Sequence, residues 1–339
     1  MTEPDATPTA TKRPRLGIDG MFAAAATLTL GVTVLGLLGQ LHWAIDLLGH
    51  QRRVYALALL VALAWLLIRK RWAWATVAGV GLAINAWLLA PLYLGGHAPA
   101  AEGAMLLRVV TFNVNTANPN HSAVTDWLAT TDADVIAVLE VDRGWVDSLE
   151  AVDGYRVAAA EPRSDNFGVA LLTRSTPRAS IAMTDTQVVY QPEDAYRLPT
   201  LEATLHLGDE TIALLVAHPV PPMGAAYAAD HAATLAWLGK LAADRSADPA
   251  IDAVIVAGDL NATPFSHAWP ALTKPAGLIN SQRGHGWSAT WPDRLVPIGL
   301  GIPIDHVLHT DGLTTLSRSV GSTLGSDHHA VVVDLAATP

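Results

Sequence analysis

Three long uncharged apolar runs fill most of the first 94 residues, and no other feature constrains this chain so tightly. Met21 to Leu41 is 21 residues without a charge, Val54 to Ile68 is 15, and Trp72 to Leu94 is 23. A membrane-crossing helix needs roughly 20 apolar residues, so the first and third runs qualify outright. The second is short, but Arg52, Arg53, Arg69, Lys70 and Arg71 flank it and can reach back to a polar surface. Trp43, Trp72, Trp74, Trp87 and Tyr93 sit near the run ends, as interface anchors do. A cleaved signal peptide is the rival for the first run, yet it is long and no clean small-residue cleavage site follows it. Core helices of a soluble domain are the rival for all three, but the runs have almost no polar face. The expected organisation is a disordered leader over 1–20, a three-helix transmembrane anchor over 21–94, a linker over 95–105 and a soluble domain over 106–339.

Basic residues set the expected orientation. Lys12, Arg13 and Arg15 in the leader and Arg69, Lys70 and Arg71 share one side of a three-span anchor, against Arg52 and Arg53 on the other. The positive-inside rule makes this a multi-pass protein of the cell membrane with its soluble domain outside the cytoplasm. If the second run does not span, that domain is cytoplasmic instead. Gly95 to Gly103 reaches at most about 30 Å, which keeps the domain near the membrane surface. The chain has no cysteine, so disulfide partners and thiolate metal sites are excluded.

From Leu106 the pattern changes to short apolar strands between polar turns. Strands are expected at Leu107–Val114, Asp134–Leu139, Phe167–Thr173, Thr200–Leu207, Thr211–Ala217, Ala253–Ala257, Pro303–Leu308 and Ala330–Leu335, and helices at Ser122–Thr130 and Ala225–Asp244. Several strands are apolar throughout, which implies sheets buried on both faces and therefore an α/β layered sandwich. Polar residues fall just past the strand ends: Asn113, Glu140, His218, Asp259, Asn261, Asp305, Asp327 and His328. Strand ends are rigid platforms at one sheet edge, where α/β folds gather their sites. Each residue alone reads equally well as a turn cap or a structural histidine. Together they supply hard oxygen ligands for Mg2+ or Mn2+, imidazoles for proton transfer and a carboxylate to orient one of them.

Seven segments carry a family resemblance: Thr-Phe-Asn-Val-Asn (111–115), Val-Leu-Glu-Val (138–141), Gly-Val-Ala-Leu-Leu-Thr-Arg (168–174), Ala-His-Pro (217–219), Gly-Asp-Leu-Asn-Ala-Thr-Pro (258–264), Ile-Asp-His-Val (304–307) and Ser-Asp-His-His (326–329). In that order the chain resembles the endonuclease/exonuclease/phosphatase superfamily, with a DNase I-like fold, over about 106–336. The resemblance implies a four-layer α/β/β/α sandwich after the three helices, and divalent-metal-dependent hydrolysis of a phosphate ester or anhydride. It assigns metal binding to Asn113, Glu140 and Asp327, and catalysis to His218, Asp259, Asn261, Asp305 and His328, with either Asp259 or His328 as base. Asn261 and Asn166 would contact the phosphate. His231, His267, His306, His309 and His329 have no matching role and read as structural. The anchor and the segment Gly-x-Gly-Trp-x-x-Thr-Trp-Pro (284–292) are similar to a membrane-anchored bacterial branch that includes VanJ-like proteins linked with glycopeptide resistance.

Charge bears on the substrate. Residues 106–339 hold 13 Lys/Arg and 26 Asp/Glu, a net of −13. Proteins that grip nucleic acid usually need a basic face. A phosphorylated lipid at the membrane is therefore the expected substrate and partner; a membrane-anchored nuclease and a catalytically silent interaction module are the alternatives.

Overall fold

The computed structural model describes residues 17–95, 104–178, 181–192 and 194–338. The leader up to residue 16 and the linker from 96 to 103 lie outside the described residues. The N-terminal third is a bundle of α1 (Ile18–Leu35), the short α2 (Trp43–Asp46), α3 (Arg52–Ile68) and α4 (Trp72–Tyr93). The stretches Ile18–Leu41, Trp43–Ile68 and Trp72–Tyr93 are each long and apolar enough to cross a membrane. Helix α1 starts at Ile18 rather than Met21 and takes in Asp19. That acid accepts hydrogen bonds from Arg69 Nε at 3.3 Å and Arg71 Nε at 2.8 Å, so its charge is balanced at the end of α3 and the start of α4. Helix α3 thus runs back along the full length of α1. Residues 36–51 and the end of α4 share the opposite end of the bundle.

There the chain makes a hook of two 3-10 segments around α2. A Cβ on Gly39 would lie 2.3 Å from Asp46 Oδ1, so the hook closes only without a side chain at that position.

The C-terminal domain has twelve strands: β1 (Leu106–Asn113), β2 (Val135–Leu139), β3 (Tyr155–Glu161), β4 (Val169–Arg174), β5 (Ile181–Tyr190), β6 (Pro199–Leu207), β7 (Glu210–Ala217), β8 (Ala253–Asp259), β9 (Ile279–Asn280), β10 (Asp305–His309), β11 (Leu313–Val320) and β12 (Val331–Ala337). They form two six-stranded sheets, ordered β11-β12-β1-β2-β4-β3 and β5-β6-β7-β8-β10-β9. Each sheet has one parallel pair at its centre, β1–β2 and β7–β8, with antiparallel partners on both sides. The two sheets therefore repeat one pairing pattern, circularly permuted along the chain. No fixed sequence period betrays this.

Alternation along the strands builds the layers. Leu107 and Val109 of β1 face the other sheet, in one apolar cluster with Leu214 and Val216 of β7 and Ile255 and Ala257 of β8. Val110 and Phe112 face the opposite way, onto α5 (His121–Thr130) and α6 (Arg143–Leu149). The outer face of the second sheet packs on α7 (Ala225–Ser246) and α8 (Trp269–Thr273). Both faces of each sheet are covered, giving the expected α/β/β/α sandwich. Strands β3, β5, β9 and β11 and helices α6 and α8 go beyond the sequence expectation. The more exposed of these strands, β5 above all, have mixed polar sequences that hide the strand signal. The strand expected at Pro303–Leu308 forms at Asp305–His309, because the residues just before it bond the 290–291 loop instead.

At Gly258 the chain adopts φ 143°, and a Cβ would lie 2.0 Å from the Ala217 carbonyl oxygen of the neighbouring strand. Gly258→Ala should cost about 1–3 kcal/mol of stability and displace Asp259. The expected outcome is a lower melting temperature together with loss of hydrolytic activity, measured on the same full-length preparation.

Candidate active site

The carboxyl ends of the two central parallel pairs meet at one edge of the sandwich. Asn113 ends β1 and Asp259 ends β8; His218 directly follows β7 and Glu140 follows β2. Asn113 continues the inward parity of Leu107 and Val109, and Asp259 that of Ile255 and Ala257, so both point between the sheets. Asp305 opens β10 directly opposite Asp259 in the antiparallel register. Asp327 and His328 lie in the turn that leads into β12, the antiparallel partner of β1.

Glu140 breaks the alternation. The parity of Ile136 and Val138 would turn it outward, but it adopts φ 60°, a left-handed conformation that costs a non-glycine residue of order 1–3 kcal/mol. The turn brings its carboxylate to Asn113, whose Nδ2 donates to Glu140 Oε1 at 2.8 Å and to Asp259 Oδ2 at 3.1 Å. Thr116 Oγ1 donates to the Glu140 carbonyl at 2.8 Å and fixes the turn. Asn115, Asn166 and Asn261 also have positive φ, a conformation asparagine tolerates. The site is thus ringed by four left-handed residues.

Asp259 lies between two imidazoles, with His218 Nε2 at 3.4 Å and His328 Nε2 at 3.6 Å from Oδ2. His328 Nδ1 lies 3.0 Å from Asp305 Oδ2, which fixes the orientation of that ring. Burial works against charging His328, but the negative charges of Asp305 and Asp259 on either side outweigh it and push its pKa up to about 10. Burial also opposes charge on His218, and its hydrogen bond and attraction to Asp259, with Glu140 adding to it, lift its pKa above the usual value. For Asp259 burial pushes upward, but His328 and His218 win and hold the carboxyl far below the usual range. Glu140 goes the other way: burial raises its pKa against the pull of His218 and Asn113.

Asp327 is held from both sides. Asn115 Nδ2 donates to Oδ1 at 2.8 Å and Trp291 Nε1 to Oδ2 at 3.0 Å. Asn261 donates its backbone N–H to Asp259 Oδ1 at 3.0 Å and its Nδ2 to the Pro219 carbonyl at 3.0 Å. So seven of the nine residues expected from sequence fall in one connected cluster around Asn113, Asp259 and His328, and Asp327 joins through Asn115. Asn166 lines the same cavity but makes no hydrogen bond to the cluster among the described residues. His231 and His306 contact the carbonyls of Leu260 and Ala262, His309 bridges the Thr310 carbonyl and Thr315, and His329 meets the Gly321 carbonyl. These are structural contacts, as expected.

The cluster suits a divalent cation. It contains four acids (Glu140, Asp259, Asp305, Asp327) and two histidines (His218, His328), an excess of two negative charges that such an ion balances. Glu140 and Asp327 line the cavity with their carboxylates, while Asn113 Oδ1 accepts the Asn115 N–H at 3.0 Å. Asp259, Asp305 and His328 make a second group, with ligand atoms within 4.8 Å of one another.

The cavity of about 330 Å3 over this cluster has walls that sequence did not reveal. Phe167 packs its ring 5.1 Å from His218, and Pro221, Pro222, Met223, Ile302 and Ile304 add apolar surface. Leu47 and His50 of the N-terminal hook also line it. His50 Nδ1 lies 2.7 Å from Thr263 Oγ1, and Asp46 accepts from Ser266 Oγ and the His267 N–H, both at 2.8 Å. The end of α4 docks beside them, with the carbonyls of Pro91 and Leu92 accepting from the N–H groups of Gly284 and Gly286. Only the apolar character of the hook was visible in the sequence.

Residues 110–328 match the family described as the endonuclease/exonuclease/phosphatase family. Solved structures with the same fold include TDP2 from Caenorhabditis elegans, 14% identical with TM-score 0.55, covering 69% of this chain and 98% of that one. An endonuclease/exonuclease/phosphatase from Bacteroides vulgatus is 17% identical with TM-score 0.56, covering 69% and 99%. TDP2 from D. rerio, in complex with a single-strand DNA product, is 16% identical with TM-score 0.54, covering 68% and 98%. No curated protein matches the chain.

Asp305→Asn removes the first-named of the charges that raise the His328 pKa. In the metal-free variant the His328 ring should titrate well below about 10, read from its NMR ring-proton shifts. Because the folded value lies above the usual 6.5, the stabilisation from this pair is complete below about pH 6.5 and fades as pH rises through about 10. The stability lost by Asp305→Asn should therefore be largest near pH 6 and shrink toward pH 10 in thermal denaturation.

Proposed function

The chain belongs to the endonuclease/exonuclease/phosphatase family, whose members are hydrolases of phosphoester bonds, and from that premise we propose that it hydrolyses a phosphate ester or anhydride of a membrane lipid. One observation carries the lipid reading. Leu47 and His50 of the helical bundle form part of the wall of the catalytic cavity, so the site is incomplete without the segment that enters the bilayer. A substrate whose phosphate sits at the membrane surface then meets the catalytic groups without leaving the bilayer. The apolar walls at Phe167, Met223 and Ile302 suit a lipid-borne group better than a nucleic acid backbone, and no Lys or Arg lines the cavity. The net −13 of residues 106–339 points the same way. Basic residues at 12–15 and 69–71 put the catalytic domain on the extracytoplasmic face in this reading.

Glu140, with Asn113 and Asp327, would hold Mg2+ or Mn2+. Such an ion neutralises phosphoryl oxygens and stabilises the charge that builds as the bond to the leaving group breaks. The chain supplies the rest. Asp259 stays ionised between its two imidazoles, so its carboxylate orients the attacking water and takes up its proton as the new P–O bond forms. Asn261 keeps Asp259 in place and faces the phosphate together with Asn166. His328, kept charged by Asp305, acts as a donor rather than as the base. His218, also biased toward its charged form, donates to a phosphoryl oxygen or protonates the leaving oxygen.

The test is a panel of lipid phosphates and diphosphates in liposomes with the reconstituted full-length protein. Phosphate release should stop with EDTA and return with Mg2+ or Mn2+. Asp259→Asn should lower kcat by about 10²–10⁴. Leu47→Ser should raise KM for the lipid substrate several-fold and leave turnover of a small soluble phosphoester unchanged. Rapid cleavage of single-stranded DNA without any lipid phosphate release would sink the proposal in favour of a membrane-anchored nuclease. Absence of any turnover would leave an interaction module.

A further inference from the structure

A second cavity among the described residues is larger than the one over the catalytic cluster. A space of about 820 Å3 lies between the helical bundle and the C-terminal domain, on the other side of the hook from the catalytic cluster. The bundle contributes Gly39, Arg52 and Leu88 to its lining, and the C-terminal domain Trp269, Lys274 and Arg283. Among the described residues three Lys or Arg side chains thus line the space, and no Asp or Glu does. The catalytic cavity has the opposite character.

Arg52 carries the argument. It is 1% exposed. One of its donors, Nη1, bonds the Thr33 carbonyl at 2.7 Å, and Nε has no partner. The nearest acid in the sequence, Asp46, is engaged by Ser266, the His267 N–H and His267 Nδ1. Among the described residues no carboxylate lies within ion-pair distance of Arg52, Lys274 or Arg283. Burying a guanidinium costs several kcal/mol, and here only the longer-range attraction of Asp46, itself engaged elsewhere, offsets it. A Cβ on Gly36 would lie 2.9 Å from Arg52 Nη2 and 3.0 Å from the Gly49 backbone nitrogen, so Gly36 lets both pack closely there. The apolar lining has two sources: Leu37, Leu88 and Leu92 from helices long enough to cross a membrane, and Phe265, Trp269 and Leu278 from the C-terminal domain.

We infer that this junction cavity is a second anion site, which holds the headgroup phosphate of an anionic phospholipid against Arg52, Lys274 and Arg283 with its acyl chains along α1 and α4. Arginine provides a fork for phosphate oxygens and lysine a point charge, while the leucines continue into the bilayer. The bound lipid fastens the bundle to the C-terminal domain and so holds the hook in the catalytic wall. This shares with the proposed function only the reading of the three helices as a membrane anchor; it does not depend on what the catalytic cavity hydrolyses.

The experiment is native mass spectrometry of delipidated full-length protein, titrated with phosphatidylglycerol, phosphatidylcholine or inorganic phosphate. EDTA is present throughout, so phosphate cannot bind through a catalytic metal. The expected result is one tightly held phosphatidylglycerol, bound about tenfold more tightly than phosphatidylcholine and not displaced by millimolar phosphate. The double variant Lys274→Gln/Arg283→Gln changes only exposed side chains and should lose most of that preference with its melting temperature in lipid-free detergent unchanged. Arg52→Gln should lose it as well, and Arg52→Lys should keep part of it. Equal affinity for the two lipids, unaltered selectivity in the double variant, or displacement of the lipid by inorganic phosphate would each overturn the assignment. Failure of lipid hydrolysis with selective binding intact would count against the proposed function alone.

Discussion

The structure depends on the dry apolar layer between its two sheets. Leu107, Val109, Leu214, Val216, Ile255 and Ala257 interlock there, and a one-residue slip in any central strand would turn its whole inward set to the wrong face. That same parity aims Asn113, Asp259 and Asp305 into the gap at the carboxyl ends of the strands. The catalytic cluster is the polar end of the hydrophobic core, held at the accuracy of the core. Four carboxylates and two imidazoles in so small a volume would not be stable singly; they persist because each lies beside an opposite charge or an amide donor.

Charge in the cluster is divided by position. Asp259 has an imidazole on both sides and stays an anion. At Glu140 burial outweighs the pull of His218 and Asn113, and its pKa rises instead. Two kinds of carboxylate in one site suit two tasks, water positioning and metal binding. The left-handed turn at Glu140 stores strain in the backbone to make that division possible, since the relaxed strand would point the side chain away from the cavity.

Docking of the bundle is a second polar junction, built from backbone and short side chains. Asp46, His50 and the last carbonyls of α4 all bond the 263–291 region, which also carries Trp287, stacked on Phe265, and Trp291, which holds Asp327. One segment therefore touches the bundle at one end and Asp327 at the other.

Much of this was present in the sequence. Uncharged runs announced three helices, because length without charge has few other stable outcomes. Continuously apolar strands announced sheets covered on both faces, and polar residues at strand ends marked Asn113, Glu140, His218, Asp259, Asp305, Asp327 and His328. Edge strands such as β5 stayed hidden, since a half-exposed strand carries mixed residues. Leu47, His50, Trp291 and Arg52 were also illegible as functional groups. Each gains its role from a contact more than 30 residues away in the chain, and nothing in its local sequence registers that contact. The sequence alone determined the apolar helices, the central strands, the layers and the chemistry at the strand ends, because periodicity and residue type are local. Only the tertiary structure decided that the helical bundle closes the catalytic cavity and leaves a guanidinium without an ion-pair partner beside a second one, because those are properties of surfaces that meet only when the chain is folded.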